Sequence, residues 1–159
     1  MAGEYPIKQL GEGAKVAELE GVPGASATLE RGAGFHNIAD EKLDVVAKQT
    51  ANFDRTEGLN TMENLIQGNP DIKAVFAHND EMALGALQAI QSSGRDVLVV
   101  GFDGNEDAMT SIRNGNLSAT VAQQVVQAGA DVLSGKKVKE KIPVPLKLVT
   151  EEDVEESGE

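Results

Sequence analysis

The sequence predicts a doubly wound, three-layer α/β sandwich built on a mainly parallel sheet. Three observations carry that reading. β-rich runs begin near Val16, Leu43, Ala74, Val97 and Ala119, at intervals of 22 to 31 residues. The segments between them have helical spacing. Val97-Leu98-Val99-Val100 is continuously apolar, as befits a strand covered by helices on both faces. Strand and helix alternating at this period imply βαβ units with right-handed crossovers. At 159 residues the chain is long enough for one domain with a sizeable core.

In chain order, residues 1–10 fit poorly. Pro6 is expected to break a helix starting at Ala2, and nothing before Gly11 resembles a strand. After the strand at Val16, Gly21-Val22-Pro23-Gly24 turns the chain into a helix that carries Arg31. Leu59, Met62 and Ile66 share one helical face, as do Ala83, Leu87 and Ile90, and Val125, Ala128 and Val132. Gly68-Asn69-Pro70-Asp71 and Gly94 stop the helices ahead of Ala74 and Val97, Gly115 follows a helix over 106–114, and Gly135 closes the last one. Pro143 and Pro145 mark a connector into an edge strand ending at Val149. The expected divisions are 1–10, a remnant of a first helix; 11–123, the main lobe; 124–150, a shortened crossover helix and returning edge strand; and 151–159, an acidic tail read as a solvated, frayed end.

Composition excludes several classes of function. The chain has no cysteine, so disulfide frameworks, thiolate metal sites and thiol catalysis are out. Two histidines, His36 and His78, leave little for a metal centre or a Ser-His-Asp triad. Neither a metal nor a cofactor is expected. The net charge is −12, and six of the 26 acidic residues lie in 151–159. With no basic face and only five aromatic residues, nucleic acid is excluded as a partner. The apolar runs are too short for membrane insertion, and the N-terminus lacks the apolar stretch of an export signal.

Open parallel sheets bind ligands outside the carboxyl ends of their strands. There the sequence delivers Arg31 after the first strand and Asn52-Phe53-Asp54-Arg55 after the second. His78-Asn79-Asp80-Glu81 follows the third, Gly101-Phe102-Asp103-Gly104 the fourth, and Gln123 the fifth. Guanidinium, carboxylate and primary amides each offer paired donors or acceptors to adjacent hydroxyls, and a phenyl face packs on a sugar ring. A polyol such as a monosaccharide is the natural complement. Asp54 and Asp80 read as caps of the helices they precede, and Phe102 reads as core.

Enzyme readings are weaker. Gly11-Glu12-Gly13 and Gly32-Ala33-Gly34 do not continue to a dinucleotide fingerprint, and no phosphate-cradling glycine loop ends in Lys-Ser/Thr. Asp80 and Glu81 are adjacent and therefore diverge. His78 is a base only if a carboxylate orients it. No enzymatic activity is expected.

Four segments resemble the periplasmic sugar-binding proteins of ABC importers, and specifically the C-terminal lobe of the ribose-binding members. They are Ala51-Asn-Phe-Asp-Arg55, Phe76-Ala-His-Asn-Asp-Glu-Met-Ala-Leu-Gly-Ala-Leu87, Val99-Val-Gly-Phe-Asp-Gly104 and Ala119-Thr-Val-Ala-Gln123. The resemblance runs from about Ala2 to Thr150. It implies one lobe of a type I periplasmic binding protein, and sugar contacts at Arg31, Phe53, Asn79, Asp103 and Gln123. The implied partners are a monosaccharide, ribose foremost, and an ABC permease, in a periplasmic location. Against the family's pattern, the N-terminal lobe and the lobe's opening strand are missing. The stretch Gln124–Ser134 is about two turns short, so it is expected to fold back onto its own lobe. Weak binding, and self-association or pairing with a complementary N-terminal lobe, are the expected consequences. Two other readings stand beside this one: the effector-binding core of a lactose-repressor-type regulator, which shares the fold, and a folded half-protein without a ligand.

Overall fold

The alternation of strands and helices closes into a single six-stranded sheet of order β2-β1-β3-β4-β5-β6. The computed structural model describes residues 1–123 and 144–156. The strands are β1 (Lys15–Glu20), β2 (Asp44–Thr50), β3 (Ala74–Ala77), β4 (Leu98–Asp103), β5 (Ala119–Gln123) and β6 (Leu146–Val149). The helices are α1 (Glu4–Leu10), α2 (Ser26–Lys42), α3 (Arg55–Gly68), α4 (Asp80–Ser93), α5 (Glu106–Arg113) and α6 (Glu151–Glu156). Strands β1 to β5 pair in parallel, and β6 runs antiparallel to β5.

Strand order reverses after β2, so the helix that returns the chain to β3 lies on the face opposite α2. Helices α3, α4 and α5 accordingly bury Met62, Leu65, Ile66, Met82, Ala86, Ile90 and Ile112 against Ala17, Leu19, Val75 and Val99. On the other face α2 lays Phe35 and Ala39 over Val16, Phe76, Val100 and Val121. The Phe35 and Phe76 rings stack with centroids 4.8 Å apart.

Both ends of the chain differ from the sequence reading. Pro6 does not prevent α1, because it sits in the first turn, where backbone N–H groups have no intrahelical acceptor to lose. The acidic segment is not a frayed end through residue 156. The Thr150 N–H and hydroxyl both donate to Asp153 Oδ2, and Val154 is buried among core residues. Val154, the Thr150–Asp153 bonds and an ion pair from Lys147 to Asp153 Oδ1 at 2.8 Å anchor α6 to the domain. The expected helical face of Val125, Ala128 and Val132, and the stop at Gly135, lie outside the described residues.

Helices α3 and α4 approach closely through two glycines. A methyl group at Gly85 would stand 2.0 Å from the Arg55 carbonyl oxygen, and one at Gly58 would stand 2.6 Å from that of Met82. Both helices start at the binding edge of the sheet, so this contact sets the spacing of the loops after β2 and β3. Gly85→Ala is expected to force the pair apart and lower the unfolding free energy by about 1–3 kcal/mol, read as a fall in urea midpoint. An unchanged midpoint would show that the contact yields without cost.

Candidate functional site

The site is built at the carboxyl edge of the sheet, around the β1/β3 reversal. Diverging crossovers open a crevice at such a point. Arg31, on the second turn of α2, is its centre. Its Nη2 donates to Asp103 Oδ1 at 2.7 Å, and its Nη1 donates to the His78 carbonyl oxygen. Its guanidinium lies 4.1 Å from the Phe102 ring centroid and 5.9 Å from that of Phe53. Only 13% of the side chain is exposed. A guanidinium stacked on one ring and paired on one edge keeps its remaining N–H groups in a fixed direction.

The other candidates reach Arg31 along the strand ends. Phe53 lies across Gly21, where a methyl group would stand 2.0 Å from its ring. Only glycine admits the ring there. Asn79 caps α4, its Oδ1 accepting from the Met82 N–H at 3.0 Å, and its Nδ2 donates to the Phe53 carbonyl oxygen at 3.3 Å. Asp103 stands at the end of β4, paired with Arg31. Partial burial raises its pKa above the ordinary carboxylate value even though Arg31 pulls the other way. Gln123 ends β5 and, with Arg31 and Phe102, lines a cleft of about 670 Å³ whose floor includes Phe35, Phe76 and Val121. Phe53, Asn79 and Asp103 lie outside that cleft's lining. Arg31 joins the two groups.

Two local readings need correction. Asp54 does cap its helix, accepting from the Glu57 N–H, but Asp80 does not cap α4; Asn79 holds that position. Phe102 is core and site at once: it is 8% exposed yet forms the platform under Arg31. Its place at the end of an apolar strand signalled burial for Phe102 but could not reveal the guanidinium above it.

Backbone strain concentrates at the same edge. Asn52 (φ 50°), Phe53 (φ 61°) and Asp103 (φ 116°) are the non-glycine residues with positive φ among the described residues. Such conformations cost roughly 1–3 kcal/mol each and persist where surrounding structure enforces them, commonly at ligand sites.

Beneath the site runs a buried polar chain that sequence reasoning missed. Glu18, on β1 and without exposed surface, meets His78 Nε2 through one carboxylate oxygen and His36 Nε2 through the other, each at 2.8 Å. His78 Nδ1 accepts from the Gly21 N–H at 3.4 Å, so Nε2 carries the proton given to Glu18. His36 Nδ1 pairs with Asp40 at 2.6 Å, and Lys48 Nζ lies 3.8 Å from Glu18. Burial pushes the Glu18 carboxyl upward, but the bonds from His78 and His36 outweigh it and hold its pKa below 4.5. Burial pushes His36 down, and Asp40 and Glu18 outweigh that too, holding its pKa above 6.5. The sequence signal was present in Glu18, a carboxylate at a position whose strand neighbours are buried.

The comparisons with known proteins agree with the fold. Residues 1–134 match the periplasmic binding protein domain family, and the chain belongs to it. Within that class it is similar to ribose import binding proteins. It is 66% identical over 158 residues to that of Bacillus subtilis, covering 95% of this chain and 52% of that protein. It is 52% identical over 161 residues to that of Escherichia coli, covering 96% and 54%. The chain spans about half the length of the curated relatives it matches. Among solved structures, an ABC transporter periplasmic solute binding protein from Actinobacillus succinogenes with bound D-allose superposes with a TM-score of 0.88 at 27% identity, covering 98% of this chain and 59% of that one. A solute binding protein from Bacillus halodurans with bound myo-inositol gives 0.84 at 36% identity, covering 97% and 57%.

The pH dependence of stability follows from the signs. The contribution of Glu18 is present above about pH 4.5 and lost as pH falls through its depressed pKa. That of His36 is present below about 6.5 and lost as pH rises through its raised pKa. In chemical denaturation across pH 4–9, His36→Asn should therefore flatten the alkaline limb, the fall in stability above about pH 6.5, relative to the wild-type protein. An alkaline limb identical in both proteins would remove His36 from the linkage.

Proposed function

We propose that this chain binds a monosaccharide, D-ribose foremost, at the carboxyl edge of its sheet, as one lobe of a solute-binding protein serving ABC-type sugar import. The observation that carries the proposal is the Arg31 cluster: a guanidinium paired with Asp103, stacked on Phe102 and largely desolvated. Arg31, Asn79, Asp103 and Gln123 supply donors and acceptors to vicinal hydroxyls, and Phe53 supplies an apolar face for the ring. The names of the similar proteins, and the sugars and cyclitol bound in the superposed structures, support the same class of ligand. They also support this reading over that of a regulator's effector core or a half-protein without a ligand. Catalysis has no part in it: these groups are fixed by one another rather than arranged as nucleophile and base.

The expected setting is periplasmic, as for the family. Among the described residues, no helix is long and apolar enough to cross a membrane. An ABC permease is the proposed membrane partner. The five groups reach a sugar from one side, so closure on the other side requires a second lobe or a second copy. Water left on the open face weakens each hydrogen bond. The affinity of this chain alone is accordingly expected near ~1 mM or weaker, about −4 kcal/mol.

Amide NMR with D-ribose up to tens of millimolar, and with glucose, galactose and xylose as controls, tests the proposal. Saturable shifts confined to the neighbourhood of Arg31, Phe53, Asn79, Asp103 and Gln123 are expected. They should vanish in Asp103→Ala, where loss of a charge-assisted bond costs about 1.5–3 kcal/mol. A well-dispersed spectrum unmoved by every sugar would overturn the proposal for this chain.

A further inference from the structure

Asp80, like Glu18, is a buried carboxylate that the proposed sugar contacts leave unused. It has no exposed surface, and although it opens α4 it does not serve that helix. Its carboxylate turns instead across the sheet edge. Oδ2 accepts from the Gly104 and Asn105 N–H groups, each at 2.8 Å, and Oδ1 accepts from the Thr120 hydroxyl at 2.6 Å. One side chain thus gathers the turn after β4 and the body of β5.

The groups it grips explain its importance. Gly104 follows Asp103, whose φ of 116° is strained for a residue with a side chain. Gly104 is itself left-handed, and a methyl group there would stand 2.6 Å from Ala122 Cβ. Asn105 caps α5 through the Ala108 N–H. Two N–H groups held by one oxygen fix the Asp103–Gly104 and Gly104–Asn105 peptides. Those peptides decide where the Asp103 carboxylate points, and hence whether it meets Arg31. Room for Asp80 is also reserved from below: a methyl group at Gly101 would stand 2.2 Å from its Oδ1.

Stability alone does not account for an ionised group at this position. Burial pushes its pKa up to about 6, with the nearby Asp103 charge adding to the rise, and three donors do not cancel the effect. A raised carboxyl pKa means that its contribution to stability is present below the ordinary value of 3.8 and lost as pH rises through about 6. At neutral pH the fold keeps a charge it disfavours relative to the unfolded chain. Groups retained on those terms are characteristic of functional sites.

We infer that Asp80 is a positioning residue for the ligand site: it touches no ligand itself, but holds the strained Asp103–Gly104 turn so that Asp103 and Arg31 stand ready as a pair. The inference rests on the sugar-binding reading for its effect on affinity, and on geometry alone for its effect on the pair.

Three variants of the full chain test it. Asp80→Ala removes the grip. Asp80→Asn restores it, because its amide oxygen accepts from both backbone N–H groups while its NH2 donates to the Thr120 hydroxyl oxygen. Thr120→Val removes only the β5 side of the arrangement and serves as a control for stability. Without ligand, the Arg31 guanidinium signals in nitrogen–proton NMR should keep their wild-type positions in Asp80→Asn and Thr120→Val and move in Asp80→Ala. With D-ribose, Asp80→Ala should weaken binding by about tenfold or more, while the other two stay within about threefold, even where Thr120→Val loses comparable stability. Asp80→Ser, too short to reach Gly104 and Asn105, replaces Asp80→Ala if that variant does not fold. The inference is overturned if the Arg31 signals are unmoved in Asp80→Ala, or if affinity follows stability alike in Asp80→Ala and Thr120→Val. If the wild-type protein shows no ribose shifts, the sugar-binding reading fails, and the ligand-free spectra still decide the role of Asp80.

Discussion

Between β1 and β3 the strand order turns back on itself, and the helices leaving those two strands depart to opposite faces of the sheet. Their divergence leaves backbone at the strand ends without a covering layer. One side chain bridges the gap: His78 donates to Glu18 beneath the sheet edge and accepts from the Gly21 N–H above it. Its own carbonyl oxygen takes a hydrogen bond from Arg31. A single residue therefore ties a buried carboxylate and the glycine under Phe53, through its ring, and the central guanidinium of the site, through its backbone carbonyl, into one connected arrangement. The two ring contacts fix one tautomer between them.

Around that tie, the binding edge is assembled from groups that would be unfavourable alone. A carboxylate without exposed surface at Glu18 is tolerated because two imidazoles meet its two oxygens. Asp80 is tolerated with three donors, and its pKa is raised even so. Asn52, Phe53 and Asp103 hold backbone angles that a free chain avoids. The rest of the domain is conventional α/β packing, with apolar helix faces on a twisted sheet. The contrast locates the costly features in one place, at the carboxyl ends of β1 to β4.

Much of this was legible in the residues. Strand spacing and the helical faces of α3 and α4 predicted a mainly parallel α/β sheet, the carboxyl-edge rule collected the strand-end segments, and the family resemblance singled out Arg31, Phe53, Asn79, Asp103 and Gln123 within them. Local rules misled where a residue answers to a distant partner. Asp80 and Asn79 both suit the start of α4, and propensity cannot choose between them; the Gly104 and Asn105 N–H groups, 24 and 25 positions away, make the choice. Pro6 and the acidic segment were misjudged for a related reason. A first-turn proline loses no hydrogen bond, and the acidic segment is anchored by a buried valine and by partners of Asp153 on β6 and at Thr150.

Periodicity and turn chemistry, both properties of neighbours in the chain, determined the fold class, the element order and which side chains arrive at the binding edge. Tertiary structure alone decided which of those side chains touch. Arg31 meets Asp103 across 72 positions, and Glu18 meets His78 across 60. Hydrogen bonds and strain at such separations depend on the sheet's strand order and on the face each crossover takes. Neither is written in any local stretch of sequence.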